Sequence, residues 1–400
     1  MAARKKKIIS DNPLEMLRDK IANKSKGSHV SILSDSEVAK IREFLPTPSY
    51  DLNRIISGSL FKGIPEKTFA LFVGPEASGK SSFMCLCLAE AQRMGYTIVV
   101  IDTEGAWTDD FVKRWGMDPT KMLYIYEPWV DNILVQLGQI MESGLQKIAL
   151  VIDSIGALDT TKLLDDATKG DVKADQGQLQ KKIKRMLKMV NNIVKGQSSI
   201  AMASGHYYGK PSTFGSAEDI GGGKYMKLAP NLIISLKNSK IKNGTAYDSP
   251  IIGNMVKAIT LKNRFYPPFS EAVIQIDYRV GINKVAGLMD IALEMGIIEQ
   301  TSKGWFEFEG GKIHGATNAL VFLDDQKVLK KIDKWLEKTG YSTINENVAK
   351  ATQLVDEIME EEESPEPKKE ELEENKTNEK DDNTTDNSEP GKITSSISKK

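Results

Sequence analysis

The sequence predicts an α/β fold with a mostly parallel sheet and an antiparallel extension. Three observations predict it. Residues 74–81 read Gly74, Pro75, Glu76, Ala77, Ser78, Gly79, Lys80, Ser81, a complete G-x-x-x-x-G-K-S phosphate loop. The preceding run, Phe69–Val73, is wholly apolar, as a strand buried on both faces requires. Downstream, strand-like and helix-like periodicities alternate, and then three strand-like runs follow with no long helix between them.

Each element follows from its local pattern. Residues 1–49 form an N-terminal helical extension. Within it Asp11–Ile21 reads as a short helix with Pro13 at its start, and Leu45–Ser49, with Pro46 and Pro48, reads as a connector. The core spans 50–284. Ser81–Met94 is the helix that follows the phosphate loop, and Thr97–Ile101 and Leu123–Tyr126 are strands. Asp131–Ser143 is helical and Lys147–Ile152 is a buried strand. Gln178–Val194 carries one clean apolar stripe at helical spacing, and Ser198–Ala203 is the next strand. The final strands are Leu232–Leu236, Met255–Leu261 and Ala272–Ile276. Residues 285–354 are expected to form a small α/β domain, with helices at Val285–Glu294 and Gln326–Lys338 and a strand at Trp305–Phe308. Residues 355–400 are acidic and poor in aromatics, and are expected to be disordered.

Composition narrows the function classes. No apolar run approaches the roughly 18 residues of a membrane span, and the N-terminus lacks the apolar core of a secretory signal. Cys85 and Cys87 are the only cysteines, both on the helix after the phosphate loop, and read as buried free thiols of a reducing cytoplasm. The net charge of −1 hides an asymmetry: residues 355–400 hold 16 acids and 7 Lys (−9), which leaves +8 on the rest. A basic body fits a polyanionic partner, with a tail that either competes for the same surface or only aids solubility. The basic run Arg4–Lys7, and Lys181, Lys182, Lys184, Arg185 and Lys188 on the helix face, are either solvated or polyanion contacts.

The chemistry-bearing residues follow the same logic. Backbone N–H groups of residues 74–82, including Ser82 at the helix start, would converge on phosphates. Lys80 would neutralise them, and the Ser81 hydroxyl would hold Mg²⁺. Asp153 ends an apolar strand, where a carboxylate reaches the metal shell. Glu104, after Asp102 and Thr103, would orient water for ATP hydrolysis if its strand neighbours that of the phosphate loop. His206 follows the strand Ser198–Ala203, where a polar group either touches a γ-phosphate or is simply a surface residue. Tyr207–Lys224 is long and glycine-rich, and with Tyr225 it interleaves Tyr207, Tyr208, Lys210, Phe214 and Lys224. That composition suits base stacking and phosphate contact with single strands. Asp165–Lys181 reads as a second long polar loop.

Together these residues resemble the RecA-type recombinases over about residues 50–310. The matching segments are the phosphate loop, Ile101–Glu104, Leu150–Ser154, Gly221–Lys224, Lys262–Arg264, Gly281–Asn283 and Leu288–Asp290. The resemblance implies a RecA-type ATPase core that uses ATP and Mg²⁺. It implies filaments on single-stranded DNA, homology search and strand exchange with homologous duplex DNA. Single-strand-binding and mediator proteins would be further partners. Glu104 would be the base, and Lys262 and Arg264 would reach the γ-phosphate of a neighbouring subunit. Phe111 and Tyr278 would lie near adenine, and Gly222, Gly223, Lys224 and Lys227 by the second DNA loop. The N-terminal extension would dock on the adjacent protomer. His206, where cellular members carry Gln, and Gly304–Phe306 are similar to the UvsX-like recombinases of T-even-type phages, which would place the protein in a bacterial host's cytoplasm. Other readings of the phosphate loop are a hexameric DNA motor, a small-molecule kinase and a non-catalytic binding protein. The C-terminal appendage and the Lys262–Arg264 segment favour the filament over the motor.

Overall fold

The apolar runs assemble into one large sheet in a computed structural model that describes residues 12–24, 29–162, 176–206, 220–221, 223–243 and 249–339. A two-residue pairing of β1 (Phe44–Leu45) with β2 (Ile64–Pro65) precedes it. Its parallel strands are β3 (Thr68–Gly74), β4 (Thr97–Asp102), β5 (Met122–Tyr126), β6 (Ile148–Asp153) and β7 (Ile200–His206). The later strands are β8 (Leu232–Lys242), β9 (Ile251–Asn263), β10 (Glu271–Asp277) and β11 (Gly281–Asn283). The order across the sheet is β11-β10-β9-β8-β3-β7-β6-β4-β5. β8 runs parallel to β3, whereas β9, β10 and β11 each run antiparallel to the strand before. Of the three helix-free runs, Leu232–Leu236 thus continues the parallel part, and Met255–Leu261 and Ala272–Ile276 form the antiparallel extension.

Alternation along the strands supplies two apolar layers. Ala70, Phe72, Val100, Val151 and Met202 face one layer, closed by helices α2 (Tyr50–Ser57) and α3 (Lys80–Arg93). Phe69, Leu71, Val99, Ile101, Leu150 and Ala203 face the other, with α5 (Val130–Glu142) and α6 (Gln176–Gly196). The α6 stripe Ile183, Met186, Leu187, Val190, Ile193 and Val194 is buried there, as its spacing predicts. Each such side chain contributes roughly 1.5–3 kcal/mol by leaving water. Cys85 and Cys87 are buried free thiols, and burial pushes the Cys85 thiol up to about 12.

The structure corrects four expectations. β4 does not neighbour β3, since β7 and β6 lie between them. The second polar loop ends before residue 181, because α6 is already helical at Gln176. The helix expected over Val285–Glu294 begins only at Met289 (α7, Met289–Glu294). Gly287 takes φ +86 and a helical backbone cannot continue through it. A Cβ there would also sit 2.1 Å from Asp51 Oδ2. Leu45, read as connector, pairs with Ile64, and Ser49 then caps α2 by accepting from Leu52 N at 3.3 Å. Helix α1 (Pro13–Lys24) and the short α4 (Asp109–Arg114) complete the N-terminal half.

The C-terminal appendage has its own small core of Leu288, Ala292, Ile298, Phe306, Leu323, Leu329 and Ile332. The predicted strand Trp305–Phe308 (β13) is the middle of three, between β12 (Glu299–Ser302) and β14 (Gly311–His314). Residues 326–339 are helical. Asp333 accepts from Ser59 Oγ at 2.8 Å and Leu60 N at 2.7 Å, which ties this helix to the body. Residues 355–400 lie outside the described residues.

Candidate active site

The strand register builds the site. Gly74 pairs with His206, Asp102 with Asp153 and Ile152 with Ala203, so β4 and β6 end two residues before β3 and β7 at the same edge of the sheet. In an open parallel sheet that edge is where ligands bind. The phosphate loop leaves β3 there and enters α3 directly. Gly79 caps α3 at φ +87, a conformation glycine adopts without strain. A Cβ on Gly74 would lie 2.4 Å from Leu236 O, so the loop also needs glycine to approach β8. Asn238 Nδ2 donates to Ala77 O at 2.8 Å and holds the loop from that side.

Lys80 Nζ donates to Gly74 O at 3.0 Å and Pro75 O at 2.8 Å, folding its ammonium back onto the loop. Burial lowers its pKa, opposed by the charges of Asp153, Glu104 and Glu76. A buried cation among backbone carbonyls is a site for anionic oxygens. Ser78 Oγ is buried without a partner in the same loop.

Asp153 ends β6 with its carboxylate held on both sides. Trp107 Nε1 donates to Oδ2 at 2.8 Å, and Ser204 Oγ donates to Oδ1. An ionised carboxylate has lone pairs left after two such bonds. Ser81 and Asp153 line the same cavity and supply the hard oxygen donors that Mg²⁺ prefers, so the residues present fit that ion.

Glu104 reaches the cavity although its strand lies three places from β3. Asp102 Oδ1 accepts from Glu104 N at 3.0 Å and Gly105 N at 2.9 Å, and Oδ2 accepts from Trp107 N at 2.9 Å. Thr103 N donates to Asp153 O at 2.8 Å, and Thr103 Oγ1 donates to Ser154 O at 2.9 Å. The loop is thereby folded over the end of β6. Ser154 Oγ donates to Glu104 Oε1 at 2.6 Å, and His206 Nε2 stands 3.7 Å from that oxygen.

One cavity of about 460 Å³ gathers Glu76–Ser82, Glu104, Asp153, Ser154, Ser204, His206 and Tyr278. Trp115, Asn254 and Ile276 also line it and carried no signal in the sequence, because a helix end and two later strands bring them in. Phe111 does not line it, and packs edge-on against Trp107 at 5.5 Å between ring centroids.

Lys262 and Arg264 lie elsewhere. Lys262 Nζ donates to Lys227 O at 2.9 Å and Leu228 O at 3.0 Å. Burial and the charge of Arg264 lower its pKa. Arg264 lines a second concavity of about 330 Å³ with Lys188, Lys195, Asn191, Asn192 and Tyr225. Lys184 Nζ lies 5.6 Å from the Tyr225 ring centroid, whereas Lys182 pairs with Asp131 at 2.7 Å. Lys224 is exposed, Lys227 half-buried, and Gly223 takes φ +87. Tyr207, Tyr208, Lys210, Phe214 and Gly222 lie outside the described residues.

The RecA N-terminal domain family matches residues 14–283. Protein RecA of Kineococcus radiotolerans is 30% identical over 323 residues, covering 80% of this chain and 89% of its own. Protein RecA of Saccharopolyspora erythraea is 29% identical over 320 residues, covering 79% and 88%. Protein RecA of Ruminococcus albus is 26% identical over 306 residues, covering 76% and 74%. The family match spans well over half of the chain, and the chain belongs to the RecA family.

Proposed function

We propose that this protein is a DNA-dependent ATPase that assembles on single-stranded DNA and carries out homology search and strand exchange. The observation that carries the reading is the division of charge between two surfaces. Lys80, Glu104, Asp153 and His206 meet in one cavity, which neither Lys262 nor Arg264 lines; Arg264 lines the second concavity and Lys262 is held on Lys227 O and Leu228 O. A cavity with a base and a metal-binding carboxylate but none of the expected second cations is half of a shared site. A neighbouring copy supplies the other half, and ATP then joins two protomers.

In this reading the phosphate-loop N–H groups and Lys80 bind the triphosphate, and Ser81 and Asp153 hold Mg²⁺. That ion neutralises charge on the phosphates. Glu104 takes the proton from the attacking water and Ser154 fixes its carboxylate. His206, beside Glu104 at the end of β7, senses the terminal phosphate and passes its loss to the segment that follows. That segment, with Lys224 and Lys227, contacts DNA. Two apolar surfaces suit self-assembly. Helix α1 buries none of its residues and exposes Leu14, Met16 and Leu17. Strand β5 is one of the two edge strands of the sheet and exposes Leu123, Tyr124 and Tyr126. The N-terminal extension docks on the adjacent protomer. His206 and the Gly304–Phe306 segment support a UvsX-like member acting in a bacterial cytoplasm. Among the described residues no helix is long and apolar enough to cross a membrane.

The test is ATP hydrolysis with and without single-stranded DNA, alongside electron micrographs of the assembly. Stimulated hydrolysis with open helical filaments is expected. Rates indifferent to DNA, or closed rings alone, would overturn the proposal, and rings would favour a hexameric motor.

A further inference from the structure

We propose that Trp107 is a positioning residue whose indole N–H holds the Asp153 carboxylate in the orientation that receives Mg²⁺. This role rests on the nucleotide reading above and deepens its metal site.

An aspartate carboxylate turns broadly about its last side-chain bond, so its lone pairs need outside help to face one way. Two donors fix that of Asp153. Trp107 Nε1 donates to Oδ2 at 2.8 Å, and Ser204 Oγ donates to Oδ1. Ser204 stands on β7, the strand beside β6, whereas Trp107 comes from the loop after β4. Each oxygen keeps a lone pair after these bonds, and Asp153 still lines the cavity. An indole N–H can only donate, so it steadies the carboxylate and never competes with it for a cation. Carboxylates that ligate metals are commonly held by outer hydrogen bonds of this kind.

Trp107 is itself held at its backbone and its ring. Its N–H donates to Asp102 Oδ2 at 2.9 Å, an oxygen that also accepts from the Tyr124 hydroxyl at 3.1 Å. Its ring is 5% exposed, belongs to the same apolar layer as Val112 and Met117, and meets Phe111 edge-on. Phenylalanine would fill most of that space. What tryptophan adds is the indole N–H, which once buried needs an acceptor, and its acceptor is the carboxylate at the end of β6. One loop therefore serves two roles. Asp102 Oδ1 holds the turn that presents Glu104, and Asp102 Oδ2 holds the turn that presents Trp107.

Calorimetric titration of the full chain with a nonhydrolysable ATP analogue, in EDTA and across a Mg²⁺ series, tests this. Trp107→Phe keeps most of the packing and removes the donor. The Mg²⁺ concentration that gives half of the metal-dependent gain in affinity should rise about tenfold or more, while affinity in EDTA stays within about twofold. Trp107→His places an N–H at the same point of a five-membered ring and loses the outer ring. It should lower the melting temperature yet keep the Mg²⁺ requirement within about threefold of wild type. An unchanged Mg²⁺ requirement in Trp107→Phe, or affinity lost equally in EDTA and in Mg²⁺, would mean packing alone and overturn the proposal. So would a rise of about tenfold in Trp107→His, the deciding result should Trp107→Phe fail to fold. A wild-type chain that binds the analogue neither with nor without Mg²⁺ would sink the nucleotide reading and this proposal with it.

Discussion

Glu104 owes its position to hydrogen bonds and not to strand order. Asp102 turns the chain after β4, and Thr103 pins the turn to the end of β6. The carboxylate then meets Ser154 Oγ at 2.6 Å. Glu104→Gln keeps the shape and an acceptor but cannot take a proton. We expect DNA-stimulated hydrolysis to fall by about 10²-fold or more, with ATP-dependent binding to single-stranded DNA retained. Equal loss of both, in parallel hydrolysis and fluorescence-anisotropy assays, would remove Glu104 from the role of base. Lys80 acts earlier. Its ammonium sits on two loop carbonyls, and in the proposed function it binds phosphate. ATP is expected to raise the melting temperature of the wild type and Lys80→Ala to abolish that rise, and a preserved rise would contradict the phosphate-loop assignment.

At the scale of elements, the join between α2 and the start of the appendage depends on one close approach. Asp51 Oδ2 accepts from Val273 N at 2.8 Å, and Arg54 Nε donates to Oδ1 at 2.8 Å. Burial still pushes the Asp51 carboxyl above its usual range. The turn through Gly287 passes directly over this carboxylate at φ +86. Gly287→Ala therefore adds both a backbone penalty and a clash with a buried charge. It should destabilise the protein by more than ~1 kcal/mol in urea titration. A change within a few tenths would show that the turn relaxes freely. The same turn explains why apolar spacing over Val285–Glu294 reads as helix: periodicity registers burial, and Val285 and Leu288 are buried in the appendage core without being helical.

At the scale of the whole molecule, charge is divided twice. The basic concavity with Lys188, Lys195 and Arg264 lies apart from the nucleotide cavity, while residues 355–400 carry 16 acids against 7 Lys. If that tail competes for the basic surface, removing residues 355–400 should strengthen duplex-DNA binding at low salt. The gain should fade as salt screens both contacts. Unchanged affinity across a salt titration would leave the tail a solubility role.

The sequence by itself determined the fold class, and it named residues that the structure gathers at one edge of the sheet. The phosphate loop, the apolar run before it and the strand-ending Asp153 are local patterns whose meaning does not depend on distant contacts. Helix α6 was legible for the same reason, since its stripe marks a buried face wherever the helix lies. Strand order was not legible, because parallel strands joined through helices can pair in several orders with identical periodicities. Only the tertiary structure therefore placed β7 and β6 between β3 and β4 and showed how Asp102, Thr103 and Ser154 carry Glu104 across. Only it separated Trp115, on the cavity wall, from Phe111, packed on Trp107. Phe111 meets a ring only four residues before it, whereas β9 and β10, remote in sequence, bring Asn254 and Ile276 to the wall beside Trp115.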